Sequence, residues 1–247
     1  GREGGRKGEQ RRYANTPKLS TEAIGLIYLK HIDLANNRMN NLSSCSILSS
    51  LDTSILQKLD LSKNRLGGKA YRMLNDFVAE ATSLRVLGLE DANLRPKDLA
   101  GLCRSLKVLD RCKVTDLVIH QCPIERINLA GNNIGDDGAE LIANVIRSKS
   151  LLRELDLSWN NIRKGGAVAI FNAVRGSKLS SLDLGYNALG TSTDTERSAT
   201  RALARVFKES ESLVHLNIAH NQLNAEDCKI LAAGLKDNHT LMGIHVE

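Results

Sequence analysis

The 247-residue sequence predicts an α/β solenoid: a right-handed coil with parallel strands on a concave face and helices on a convex face. Three observations lead there. A short pattern of leucines with one asparagine recurs along most of the chain. The asparagines recur at near-constant intervals of 27 or 28 residues, as from 37 to 64, 132 to 160 and 160 to 187. Between copies lie runs with apolar residues at helical spacing, such as Ala139, Ile142, Ala143 and Ile146.

The clearest copy is Leu152 to Gly165. Leu155 and Leu157 alternate with Glu154, Asp156 and Ser158, so a short strand buries one face and exposes the other. Asn160 then turns inward, where its amide can bond backbone N–H and C=O groups of the turn. Gly165 and Gly166 are expected to loosen the exit before a helix-like run from Ala167 to Val174.

In chain order, residues 1–18 read as a flexible tail. Residues 1–12 carry five basic side chains against two acidic ones, so these twelve residues hold +3 of the chain's +6. Such a segment can touch RNA or acidic protein tails only weakly. Residues 19–247 read as one repeat domain of about eight repeats, cut from a longer protein. Leu19 to Tyr28 is expected to be a short helix that shields the first coil. Repeat one carries Leu29, Ile32, Leu34, Asn37 and Met39. Repeat two carries Leu56, Leu59, Leu61, Asn64 and Leu66, with a helix over 70–80 that buries Met73, Leu74, Phe77 and Val78.

Repeat three departs from the pattern. Ala92 stands where the turn asparagine belongs, with Asn93 one place late, so an altered or looser turn is expected. Val114, Leu117, Ile119 and Cys122 suggest a fourth strand and turn. Ile124 opens the next repeat only ten residues after Val114, too few for a helix; either a helix-sized segment is missing near Cys122 and Pro123, the reading adopted, or the two segments do not stack as neighbours. The later repeats center on Asn132, Asn160, Asn187 and Asn221. The third of these is lengthened by a polar loop over 191–196, and a truncated copy starts at Leu241.

The pattern L-x-x-L-x-L-x-x-N-x-L, with helix-sized intervals, resembles the ribonuclease-inhibitor-like class of leucine-rich repeats from about Leu19 onward. The resemblance implies a horseshoe whose use is to bind other proteins. It implies either a scaffold, in a cytoskeletal or ciliary assembly among other settings, or an enzyme regulator of the ribonuclease-inhibitor or Ran GTPase-activating kind. A third implication is the sensor region of an immune-type receptor.

Composition sets further bounds. Five cysteines with irregular spacing and no CxxC point to reduced thiols and a cytoplasmic protein. No run of 18 apolar residues suggests a membrane span. No nucleotide-binding or HExxH motif occurs, so neither catalysis nor a cofactor nor a metal is expected. Cys112, His120 and Cys122 read as repeat residues rather than zinc ligands. His215, His220 and His245 can approach one another near the end of the coil, though exposed solubilizing histidines explain them as well.

Two columns of exposed side chains follow from the repeat register. The middle strand column is Asp33, Asp60, Gly88, Val118, Asn128, Asp156, Asp183, Asn217 and His245, mainly acidic or amide. It reads as a docking strip for a basic partner or as a plain habit of the repeat. The residue before each turn asparagine gives Asn36, Lys63, Asp91, Gln121, Gly131, Trp159, Tyr186 and His220. The last three are large and consecutive. Trp159, Tyr186 and His220, with Asp156 and Asp183 beside them, are therefore the candidate contact patch for a partner protein within a larger complex.

Overall fold

The computed structural model describes residues 28–106, 123–148, 151–190, 195–236 and 238–247. Strands and helices alternate throughout: β1 (His31–Asp33), α1 (Asn41–Leu48), β2 (Lys58–Asp60), α2 (Gly68–Glu80), β3 (Val86–Gly88), α3 (Pro96–Leu106), β4 (Arg126–Asn128), α4 (Gly135–Arg147), β5 (Glu154–Asp156), α5 (Lys164–Val174), β6 (Ser181–Asp183), α6 (Ser198–Glu209), β7 (His215–Asn217), α7 (Ala225–Leu235) and β8 (Gly243–His245). The eight strands form one parallel sheet in sequence order. Each helix packs on the helix of the next coil. Strands sit about 4.8 Å apart and packed helices about 8–10 Å apart, so the array curves with the strands inside.

The core is an aliphatic column. The middle residue of each strand through β7 is buried: Ile32, Leu59, Leu87, Ile127, Leu155, Leu182 and Leu216. From the second coil to the seventh each turn adds a second buried leucine or isoleucine, from Leu61 to Ile218, while Leu34 of the first coil is partly buried; each helix adds its inward face. On α2 that face is Leu74, Phe77 and Val78, with Met73 partly buried against it. Two helices are capped in the same way. Asn40 before α1 and Asn224 before α7 each accept two backbone N–H groups, and Ser43 and Asp227 reach back to complete a capping box.

Two expectations change, and several fall on residues that are not described. The strand suggested at 114–119, with Val118 of the middle column, lies outside the described residues; within them β3 pairs directly with β4, Val86 against Arg126 and Gly88 against Asn128. The chain junction at Cys122 and Pro123, the helix at 19–27, the tail and most of the 191–196 loop fall outside the described residues. Gly165 and Gly166 do not loosen an exit. They lie inside α5, where a Cβ on Gly166 would stand 2.8 Å from the Ala139 Cβ, so they allow α4 and α5 to approach closely. Finally, the third turn is altered in its hydrogen bonding but keeps its shape, since Asp91 and Asn93 hold the same left-handed backbone as their counterparts.

The polar loop of the sixth coil is anchored at its end. Arg197 donates to Asp227 at 2.8 Å, and Thr200 donates to the same carboxylate at 2.9 Å. Burial alone would push the Asp227 carboxyl up. Hydrogen bonds from the local backbone, Arg197 and Thr200, together with the Arg197 charge, outweigh it and hold the group below its ordinary value.

Candidate partner-binding face

The turn after each strand is built around an asparagine that serves two coils at once. The Asn160 Oδ1 accepts from Asn132 N–H at 2.9 Å and Ile134 N–H at 3.3 Å, both in the preceding coil. Its Nδ2 donates to Leu129 C=O at 2.9 Å and to Ser158 C=O at 3.0 Å. Asn64, Asn132, Asn187 and Asn221 repeat this arrangement, and all are buried. The amides thus form a ladder along the solenoid.

The inward asparagine requires an unusual backbone before it. Asn36, Lys63, Asp91, Gly131, Trp159, Tyr186 and His220 all have positive φ, between 45° and 70°. Their N–H groups donate in turn to the next coil, as Trp159 to Gly185 C=O at 3.0 Å and Tyr186 to Ala219 C=O at 2.9 Å. This geometry points every side chain of the column away from the core, at the C-terminal edge of the sheet. The left-handed conformation costs roughly 1–2 kcal/mol for a residue with a Cβ. Only Gly131 avoids that cost.

Coil stacking then turns three of these residues into one object. The Trp159 and Tyr186 rings lie 3.9 Å apart at 10°, and the Tyr186 and His220 rings 4.2 Å apart at 22°. Trp159 is 60% exposed and Tyr186 41% exposed. The expected patch is therefore a continuous, solvent-facing stack across three coils.

The middle column has a structural task that its sequence did not disclose. Asp33, Asp60, Asn128, Asp156, Asp183 and Asn217 each accept the backbone N–H two residues on, at 2.8 to 3.0 Å. Asp and Asn close the turn in this way and set up the left-handed residue that follows. The two candidate carboxylates differ. Both oxygens of Asp183 are engaged, by Gly185 N–H at 2.8 Å and Asn217 Nδ2 at 3.0 Å. Asp156 uses one oxygen for Ser158 N–H and Oγ. Burial pushes the Asp156 carboxyl up, and the charges of Asp183 and Glu90 push it the same way, against the two Ser158 bonds. The concave face therefore concentrates negative charge near the aromatic stack.

The three histidines separate. His215 and His245 line a concave recess of about 320 Å³ with Asp183 and Asn217, whereas His220 belongs to the ring stack. Among the described residues no group of three or more His, Cys, Asp or Glu is arranged to hold a metal ion. Cys45 and Cys103 are buried thiols and Cys228 an exposed one. No described helix is long and apolar enough to cross a membrane.

Comparison with known proteins agrees with the repeat reading. The leucine-rich-repeat family model matches residues 120–143, 148–171 and 209–232. Ribonuclease inhibitor from Sus scrofa is 25% identical over 197 residues, 78% of this chain and 33% of the inhibitor. NACHT, LRR and PYD domains-containing protein 4B from Mus musculus is 28% identical over 142 residues, 50% of this chain and 16% of that protein. The chain thus spans a third or less of the length of these relatives. A solved structure titled leiomodin-1 actin-binding site 2 aligns over 89% of this chain and 91% of its own, at 13% identity and a TM-score of 0.38, too low to bear on function. On its repeat geometry and these matches, the chain carries leucine-rich repeats in a solenoid and is distantly similar to ribonuclease inhibitor.

Proposed function

We propose that this chain is a non-enzymatic interaction module that binds a partner protein through its concave face and C-terminal rim, with Trp159, Tyr186 and His220 as the main contact and Asp156 and Asp183 beside them. The observation that carries this reading is the exposed three-ring stack. Two of its members are large aromatics held at positive φ, where glycine would be easier. Rings locked by their neighbours lose little entropy on binding, and Trp and Tyr are enriched among residues that dominate interface energy. The carboxylates on the same face favour a basic partner.

The module reads as a scaffold within a larger complex. A second reading, an enzyme regulator, draws on the similarity to ribonuclease inhibitor, whose name states what it acts on. A receptor sensor region draws on the match to the NACHT, LRR and PYD protein. The thiols at Cys45, Cys103 and Cys228 favour a reducing compartment, hence the cytoplasm. A cytoskeletal or ciliary setting is tested by co-purification with tubulin or axonemal proteins.

The test is a titration of the co-purified partner against wild type and Trp159→Ala, with circular dichroism as the folding control. Loss of about 2 kcal/mol or more in the folded mutant is expected. Unchanged affinity would move the interface away from the rim.

A further inference from the structure

The ring stack ends abruptly on one side. The column runs Asp91, Gly131, Trp159, Tyr186, His220, one residue per coil. Tyr186 covers one face of Trp159. Toward the other face stands Gly131, exposed and without a side chain. The three atoms nearest a Cβ built there all belong to Asp91, at 3.7 to 3.8 Å, so the space above Gly131 is in ordinary contact range of Asp91. The stack therefore stops at a slot one coil wide, walled by the Trp159 ring on one side and by Asp91 on the other. Among the described residues no hydrogen bond or ion pair engages the Asp91 carboxylate. Other acids of this face differ in this respect: the adjacent Glu90 pairs with Lys63 at 3.0 Å, and Asp183 is hydrogen-bonded through both oxygens.

We propose that this slot receives an arginine side chain of the partner protein, its guanidinium lying on Trp159 over Gly131 and facing Asp91. The inference rests on the rim reading above and specifies it. Coils are about 4.8 Å apart, so a planar group above Gly131 continues the ring stack and stands about one coil from the carboxylate. Both walls select the same chemistry. A tryptophan face is the best aromatic partner for a cation. Arginine is planar and stacks, whereas the lysine ammonium is a hydrated point charge that does not. An uncharged ring would satisfy the tryptophan but leave Asp91 unpaired. The remaining carboxylates of the concave face, Asp156 foremost, raise the local concentration of cations.

Trp159 is the only tryptophan in the chain, so intrinsic fluorescence reports on this slot directly. The probes are capped Gly-Xaa-Gly-Xaa-Gly peptides at low salt, with arginine, lysine or citrulline as Xaa; citrulline keeps the planar shape and removes the charge. The arginine peptide should perturb Trp159 fluorescence saturably and bind at least about tenfold tighter than either of the others. Asp91→Asn should weaken it about fivefold. Gly131→Tyr should abolish the response with an unchanged circular dichroism spectrum, since Trp159 and Tyr186 show that the turn accepts a ring at this φ. Equal binding of arginine and lysine peptides, or no effect of Asp91→Asn, would overturn the slot and leave only general attraction to an acidic face. Titration with the co-purified partner separates the two levels. Loss in Trp159→Ala with full affinity in Asp91→Asn and Gly131→Tyr would end the slot and keep the rim. No loss in Trp159→Ala would end both.

Discussion

The coils built on Asn132, Asn160, Asn187 and Asn221 differ instructively from the coil built on Ala92. In the first group two side chains per coil do the polar work. An Asp or Asn at the end of the strand closes the turn, and the inward asparagine ties that turn to the preceding coil. The third coil lacks both. Gly88 replaces the strand-end acid, and Ala92 replaces the asparagine. Other groups fill in. The Glu90 N–H, which a carboxylate at 88 would have bonded, donates instead to Ser62 Oγ at 3.1 Å. Leu66 N–H, which an amide at 92 would have bonded, donates to Asn64 C=O at 3.0 Å. Asn93 Nδ2 reaches Leu66 C=O at 3.3 Å, and the buried Tyr71 hydroxyl donates to Ala92 C=O at 2.8 Å. Gly88 also makes room for Asp60, whose carboxylate would lie 2.4 Å from any Cβ there. The repeat is thus a set of hydrogen-bonding demands, met by consensus residues where present and by neighbours where not.

Substitutions break this contrast in order of size. Asn160→Ala removes an amide with two accepted and two donated bonds in a buried turn. It should cost about 3 kcal/mol in urea unfolding, because several backbone groups lose their partner together. Asn93→Ala removes one long bond and places alanine at φ 59°, for a loss of about 1 kcal/mol. Equal losses for the two would contradict the ladder. Tyr71→Phe strands the Ala92 carbonyl and should likewise cost about 1 kcal/mol. No change would mean that the hydroxyl does not stand in for the missing amide.

The smallest effect concerns charge on the concave face. Folding raises the Asp156 carboxyl above its ordinary 3.8, first through burial and then through Asp183 and Glu90. The folded state then holds a proton that the unfolded chain releases. This stabilizing contribution is fully present below pH 3.8 and is lost as pH rises through the folded value. Asp156→Asn, which keeps the turn bond as Asn128 and Asn217 do, should raise the melting temperature slightly at pH 7. The gain should vanish below pH 3.8. A gain that persists there would point to something other than charge.

Much of this was legible in the residues. Alternation of leucines in short strands is a local signal, so Leu155, Leu157 and their counterparts disclosed which faces are buried, and the asparagines disclosed the turns. The pre-asparagine column carried Trp159, Tyr186 and His220 into register before any coordinates. The copy of the pattern from Val114 to Cys122 lies outside the described residues, and within them β3 pairs directly with β4.

What the sequence by itself determined is the repeat: its period, its inward residues and the identity of each rim position, all set by spacing within about 30 residues. The stacking distances of the rings, the open face of Trp159 above Gly131 and the repairs around Ala92 were decided only by the tertiary structure. Each depends on atoms of a neighbouring coil, 27 or more residues away in most cases, and only the stacking of coils at a fixed separation brings those atoms within bonding reach.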